Sequence, residues 1–159
     1  MSVSALFLLG ANLGDRRAAL RAAVAGLGRT PGVRVKAVSR LYETAPVGPS
    51  DRPYLNQAVR VATQRTPMGL LLEAKVLEAA AGRRPGMRWG ARVLDVDLIA
   101  YGRTRARTPW LTVPHPRAAQ RAFALAPLAD VAPRWRLGRR TISARLSALA
   151  PSRAEVRRI

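Results

Sequence analysis

Arg88–Trp89–Gly90–Ala91–Arg92–Val93–Leu94–Asp95–Val96–Asp97 gathers the residues of this chain best able to do chemistry. A glycine-interrupted basic loop runs straight into an apolar strand. Val93, Asp95, Asp97 and Ile99 fall on one face of that strand, and Leu94, Val96 and Leu98 on the other. Side chains two apart on a strand point the same way, about 6.6–7 Å apart. Two ionised acids placed so repel each other and lose hydration. A divalent cation removes both costs. Mg²⁺ takes one or two carboxylates and fills its other positions with water and substrate phosphate. Arginines upstream can hold phosphate oxygens in bidentate fashion. The bland reading is a strand edge with a solvated face. Only nine acids stand against 28 basic residues in the chain. Two of the nine interleaved with Leu, Val and Ile favour a functional pair, a metal–polyphosphate site.

Composition narrows the chemistry further. With no cysteine, disulfides, thiolate metal sites and a cysteine nucleophile are excluded. The single histidine, His115, rules out a multi-histidine metal centre. The two lysines, Lys36 and Lys75, follow no glycine, so a Walker A phosphate loop is absent. A hard, oxygen-ligated cation remains. The net charge of +19 fits either a solubilising surface or nucleic-acid binding. Because the charge is spread along the chain and aromatics make up 5% of it, the surface reading is favoured and no nucleic-acid partner is expected.

The elements that must position these residues read off in order. At 159 residues, 48% of them hydrophobic, residues 1–159 are expected to form one domain. No apolar run reaches the ~18 residues of a membrane helix, so no membrane partner and a cytoplasmic location are expected. Val3–Leu9 is a buried strand. Asp15 caps a helix whose inner face is Leu20, Ala23, Val24 and Leu27. Residues 33–44 read as a second strand, followed by a proline-rich loop. A third strand covers residues 55–63, with Tyr54 and Asn56 on one face. Thr66–Pro67 starts a second helix to about Ala81, with Met68, Leu71, Leu72, Val76 and Ala79 inward and Glu73, Lys75 and Glu78 elsewhere. The fourth strand is residues 94–101. The result is an α+β fold, a ferredoxin-like β-α-β-β-α-β core, with C-terminal helical additions at residues 118–128 and 141–149. A basic tail begins at about residue 134, and its last residues are expected to fray.

The order and spacing of several short blocks go further. Gly10–Ala11–Asn12–Leu13–Gly14, Tyr42–Glu43–Thr44–Ala45–Pro46, Tyr54–Leu55–Asn56, Arg88–Trp89–Gly90–Ala91–Arg92, Leu94–Asp95–Val96–Asp97, Pro114–His115–Pro116–Arg117 and Arg121–Ala122–Phe123 occur in sequence. In this the chain resembles the 6-hydroxymethyl-7,8-dihydropterin pyrophosphokinases of folate biosynthesis, to about Pro133. The resemblance implies transfer of pyrophosphate from ATP, the co-substrate, to the pterin hydroxymethyl group, leaving AMP. It implies two Mg²⁺ ions on Asp95 and Asp97, with Arg83 and Arg92 steadying the transferring phosphates. On the nucleotide side it implies Lys75, Glu78, Arg88, Thr112, His115 and Arg121. Around the pterin it implies Tyr54 and Phe123 as sandwiching rings, Asn56 at the pterin edge, Thr44 and Val47 as backbone contacts, and Trp89 closing over the substrates. Small-molecule substrates and a monomer are expected. Ala91 stands in place of the usual proline, Val93 of threonine, and Lys75 of a common glutamine. The rival reading is a ferredoxin-like RNA-binding module, which predicts aromatics rather than carboxylates on the central strands.

Overall fold

The structure, a computed structural model, describes residues 1–45, 52–83, 93–149 and 155–159. The fold is organised on β1 (Val3–Ala11), where seven residues in a row, Ala5 to Ala11, are buried. Such a run marks a central strand covered on both faces. Helix α1 (Arg16–Arg29) follows, capped by the Asp15 carboxylate, which accepts from the Ala18 N–H at 3.0 Å. Next come β2 (Val33–Val38), β3 (Tyr42–Thr44) and the long β4 (Tyr54–Thr63). After α2 (Pro67–Ala80) the chain forms β5 (Asp95–Tyr101). β1 lies between β4 and β5, antiparallel to both, and β2 and β3 share the far edge of β4. This is the ferredoxin-like strand order expected from the sequence.

The expected second strand, residues 33–44, is broken in two. Ser39 supplies the reason: its hydroxyl accepts from the Ala58 N–H and donates to the Arg40 carbonyl. A side chain thus takes the place of a ladder bond, and the chain re-enters the sheet at Tyr42.

The C-terminal additions cover the second face. The short ribbon β6 (Ala106–Arg107) and β7 (Thr112–Val113) leads, through a single 3₁₀ turn at Ala118–Gln120, into α3 (Ala122–Val131). The segment 118–128 is therefore not one helix; the backbone is extended at Arg121, and α3 restarts beyond it. A second ribbon, β8 (Arg136–Leu137) and β9 (Arg140–Thr141), precedes α4 (Ile142–Ala148). The last residues do not fray. β10 (Val156–Arg158) pairs antiparallel with β3 and covers its edge.

Two cores result. Phe7, Leu9, Val96 and Leu98 face Leu20, Leu27, Leu70 and Ala74 of the first helix pair. Leu6, Leu8 and Ile99 face Leu125, Leu128 and Ile142 of the second. The inner face of α1 is as read from sequence, except that Val24 is only partly buried. The face of α2 is not. Leu70, Ala74 and Glu78 are buried, while Met68, Leu72 and Val76 are exposed. This helix is apolar nearly all round, so hydrophobic spacing alone leaves its phase open. The buried Glu78 carboxylate has a use on the inside, described next.

Candidate functional site

Asp95 and Asp97 open β5, and they do share one face. Leu94, Val96 and Leu98 enter the core behind them, while Ile99 joins the other core, as strict alternation requires. Cross-strand register extends this face sideways. Asp95 pairs with Gly10, Gly10 with Asn56, and Asn56 with Tyr42. Directly paired residues point to the same side, and neighbouring strands are about 4.8 Å apart. Asp95 and Asn56 therefore stand roughly 10 Å apart on one surface, with a glycine between them. The missing side chain leaves room there: a Cβ on Gly10 would crowd Asn56 Oδ1 at 3.1 Å and touch the Tyr54 ring at 3.5 Å.

Asn56 is buried and fixed, its amide donating to the Thr44 hydroxyl at 2.6 Å. Tyr54 lies beside it on β4, half-buried. Phe123, at the start of α3, covers the same face of the sheet and carries the Arg121 guanidinium 5.5 Å from its ring centre. The sequence-derived pterin residues Thr44, Tyr54 and Asn56 are thus adjacent. Val47, Arg88, Trp89 and Arg92 lie outside the described residues, as does the substituted Ala91.

The carboxylate end is built around Glu78. β5 is an edge strand, and its Val96 N–H faces away from the sheet. Glu78 reaches up from α2 and accepts that N–H at 3.1 Å. The same carboxylate pairs with Lys75 at 3.0 Å and with Arg83, which also bridges to Asp95 Oδ1 at 2.7 Å. One guanidinium thus spans two acids from different elements. Lys75 is 60% exposed, whereas Glu78 is almost wholly enclosed.

His115 approaches from the other side. Its backbone N–H donates to the Ile99 carbonyl at 2.7 Å, and its Nδ1 accepts from the Arg117 N–H at 3.3 Å. That bond leaves Nε2 as the protonated nitrogen of the neutral ring. Burial pushes the His115 pKa below its ordinary 6.5, and the nearby Asp97 charge works against the drop. Asp97, although it reaches solvent, loses enough hydration to the surrounding protein to sit above the usual carboxylate range. The Glu78 charge adds to this rise, and His115 opposes it. Thr112 lies on β7, half-buried, immediately before the cis Val113–Pro114 bond.

Sequence reasoning missed two contributors. Arg117, whose amide fixes the His115 ring, stands inside the Pro-His-Pro-Arg block but was given no role. Arg16 donates to the Pro53 carbonyl at 3.0 Å and pairs with Glu43 at 3.1 Å, joining α1 to both ends of the proline-rich loop. No spacing rule signals either contact.

No described group of three or more His, Cys, Asp or Glu residues could hold a metal. A pair of carboxylates suits Mg²⁺, which draws most of its shell from water and phosphate. The Arg83 cation seated against Asp95 shows that this face already attracts positive charge.

The family model of the 7,8-dihydro-6-hydroxymethylpterin-pyrophosphokinases (HPPK) matches residues 6–133. The chain belongs to this family. It is 44% identical to the 2-amino-4-hydroxy-6-hydroxymethyldihydropteridine pyrophosphokinase of Methylorubrum extorquens, over 92% of this chain and 94% of that one. To the enzyme of the same name from Bacillus subtilis it is 43% identical, over 82% of this chain and 79% of the other. The crystal structure of wild-type Plasmodium falciparum HPPK-DHPS superposes with a TM-score of 0.75 at 13% identity, covering 100% of this chain and 48% of that chain. The fold is therefore shared with half of a longer chain. Among the described residues of this HPPK-family chain, no helix is long and apolar enough to cross a membrane.

Proposed function

We propose that this HPPK-family chain transfers pyrophosphate from ATP to the hydroxymethyl group of 6-hydroxymethyl-7,8-dihydropterin, giving AMP and the pterin diphosphate. The observation that carries the reading is the shared face of β5, β1 and β4. It sets a carboxylate pair and an aromatic–amide pair about 10 Å apart across a glycine. That span suits a flat ring at one end and a phosphate chain at the other.

In this reading the hydroxymethyl oxygen attacks the β-phosphorus in line. The bond from that phosphorus to the α–β bridging oxygen breaks, and AMP leaves. Asp95 and Asp97 hold two Mg²⁺ ions, which when bound neutralise the triphosphate and polarise the reacting phosphorus. Tyr54 and Phe123 clamp the pterin, and Asn56, held by Thr44, reads its edge. Arg83 and Arg92 donate to the transferring phosphates, and His115 and Arg121 to the nucleotide. Arg88, Trp89, Val47, Thr112 and Lys75 complete the two subsites. Glu78 orients Arg83 and the start of β5 rather than meeting the nucleotide itself. Orientation is the main source of rate, since no strong base stands out among the described residues of this face. An RNA-binding role is disfavoured by the same face, where carboxylates occupy the strand that would carry stacking rings.

The test is nucleotide separation after mixing the protein with ATP, Mg²⁺ and the pterin. AMP formed only when both pterin and metal are present is the expected result; ADP would place the attack on the wrong phosphorus. Asp97→Asn should cut AMP formation by at least about a hundredfold, the scale of losing one preorganised electrostatic contact. Full turnover in that variant, with an unchanged melting curve, would remove the metal from Asp97.

A further inference from the structure

A cleft of about 670 Å³ opens at the other end of the sheet, lined by Ser4, Arg103, Arg105, Arg134, Trp135 and Arg136 among others. Ser4 lies six residues before Gly10 on β1, about 20 Å from the carboxylates at the strand rise. An adjoining cavity of about 360 Å³ shares Arg105 and adds Arg107. No acid lines either space, and none of these arginines takes part in a described ion pair. Four arginines lining one cavity repel one another unless an anion joins them.

The rims are built to hold position. Gly102 turns the chain after β5 with φ +53°, and a Cβ there would lie 2.8 Å from Val3. Gly138 turns the facing ribbon with φ +75°. Arg136 is anchored by donating to the Arg139 carbonyl at 2.7 Å. Trp135 is half-buried, packing against the second core while it lines the cleft. The volume falls within the range of ligand sites, roughly 300–1,000 Å³. Guanidinium forks suit phosphate oxygens, and an indole suits a flat base.

We propose that this arginine cleft is a second nucleotide site, which takes the polyphosphate of a nucleoside triphosphate without a divalent metal and stacks the base on Trp135. The contrast with the first site is chemical. Phosphate beside Asp95 and Asp97 needs a metal between the charges, whereas a cleft with no carboxylate needs none.

Calorimetric titration of the full chain with ATP in EDTA tests this. The expected result is saturable binding that weakens at least tenfold in the double variant Arg103→Ser/Arg134→Ser. AMP formation with Mg²⁺ should be unchanged in that variant. Inorganic triphosphate should bind severalfold more weakly than ATP, because it has no ring to stack. No binding in EDTA, or equal binding by wild type and double variant, overturns the site. Triphosphate binding as tightly as ATP overturns its assignment to nucleotides. The binding titrations need no turnover, so they stand or fall separately from the transfer reaction.

Discussion

At the scale of single residues, the arrangement turns on a carboxylate that is only 4% exposed. Glu78 is tolerated there because a lysine, an arginine and a backbone N–H all meet it. Glu78→Ala leaves the Val96 N–H unpaired and frees Arg83 from one of its two acids, and should cost about 1–3 kcal/mol in urea denaturation, the range for an unsatisfied buried donor. A loss below about 1 kcal/mol would mean that Glu78 is not the support described. His115 gives a second test, since it is the chain's only histidine and contributes a single set of imidazole NMR signals. Those signals should titrate below pH 6.5. Asp97→Asn removes the charge that favours the imidazolium, so the midpoint should move lower still. An upward move would separate the two side chains. Asp95, Asp97, Tyr54 and Asn56 were legible from sequence because alternation fixes which strand residues share a face. The Arg83 bridge was not, because it joins α2 to β5 through space.

At the scale of elements, β10 shows what local pattern cannot reveal. Its three residues carry little intrinsic strand signal, and they pair because β3 offers an open edge. The Ala45 N–H donates to the Glu155 carbonyl at 3.3 Å, the Ile159 N–H to Leu41 at 3.0 Å, and Arg157 pairs with Glu43 at 3.0 Å. β3 in turn carries Thr44, the partner of Asn56. Deleting residues 155–159 should lower the melting temperature by about 2–8 °C, equivalent to 1–2 kcal/mol for a chain of this size. It should also weaken pterin binding measured by fluorescence. A truncated chain with unaltered pterin affinity would confine β10 to edge protection. The phase of α2 has a similar origin: several apolar stripes compete along this helix, and the polar use of Glu78 selects one.

At the scale of the whole molecule, polar contacts tie both helix layers to the sheet. One joins the Tyr42 hydroxyl on β3 to the Asp130 carboxylate on α3, at 2.9 Å from each oxygen. Desolvation, with the Asp130 hydrogen bond and charge adding to it, raises the Tyr42 pKa from 10.0 to about 12. The unfolded chain therefore releases this proton first as pH rises. Between pH 10 and about 12 the folded state holds more protons, and stability falls with increasing pH. Denaturation midpoints across that window should decline more steeply for wild type than for Tyr42→Phe. Parallel declines would show that the hydroxyl does not carry the effect. The sequence by itself determined the order of the core elements, the capped starts of α1 and α2, and the shared face of Asp95 and Asp97. Each depends on contacts between residues close in the chain. Tertiary structure decided the break at Ser39, the inward turn of Glu78, the pairing of β10, and the arginine cleft at the far end of the sheet. Those depend on groups distant in sequence, whose meeting is set by packing and by the need to satisfy buried polar atoms.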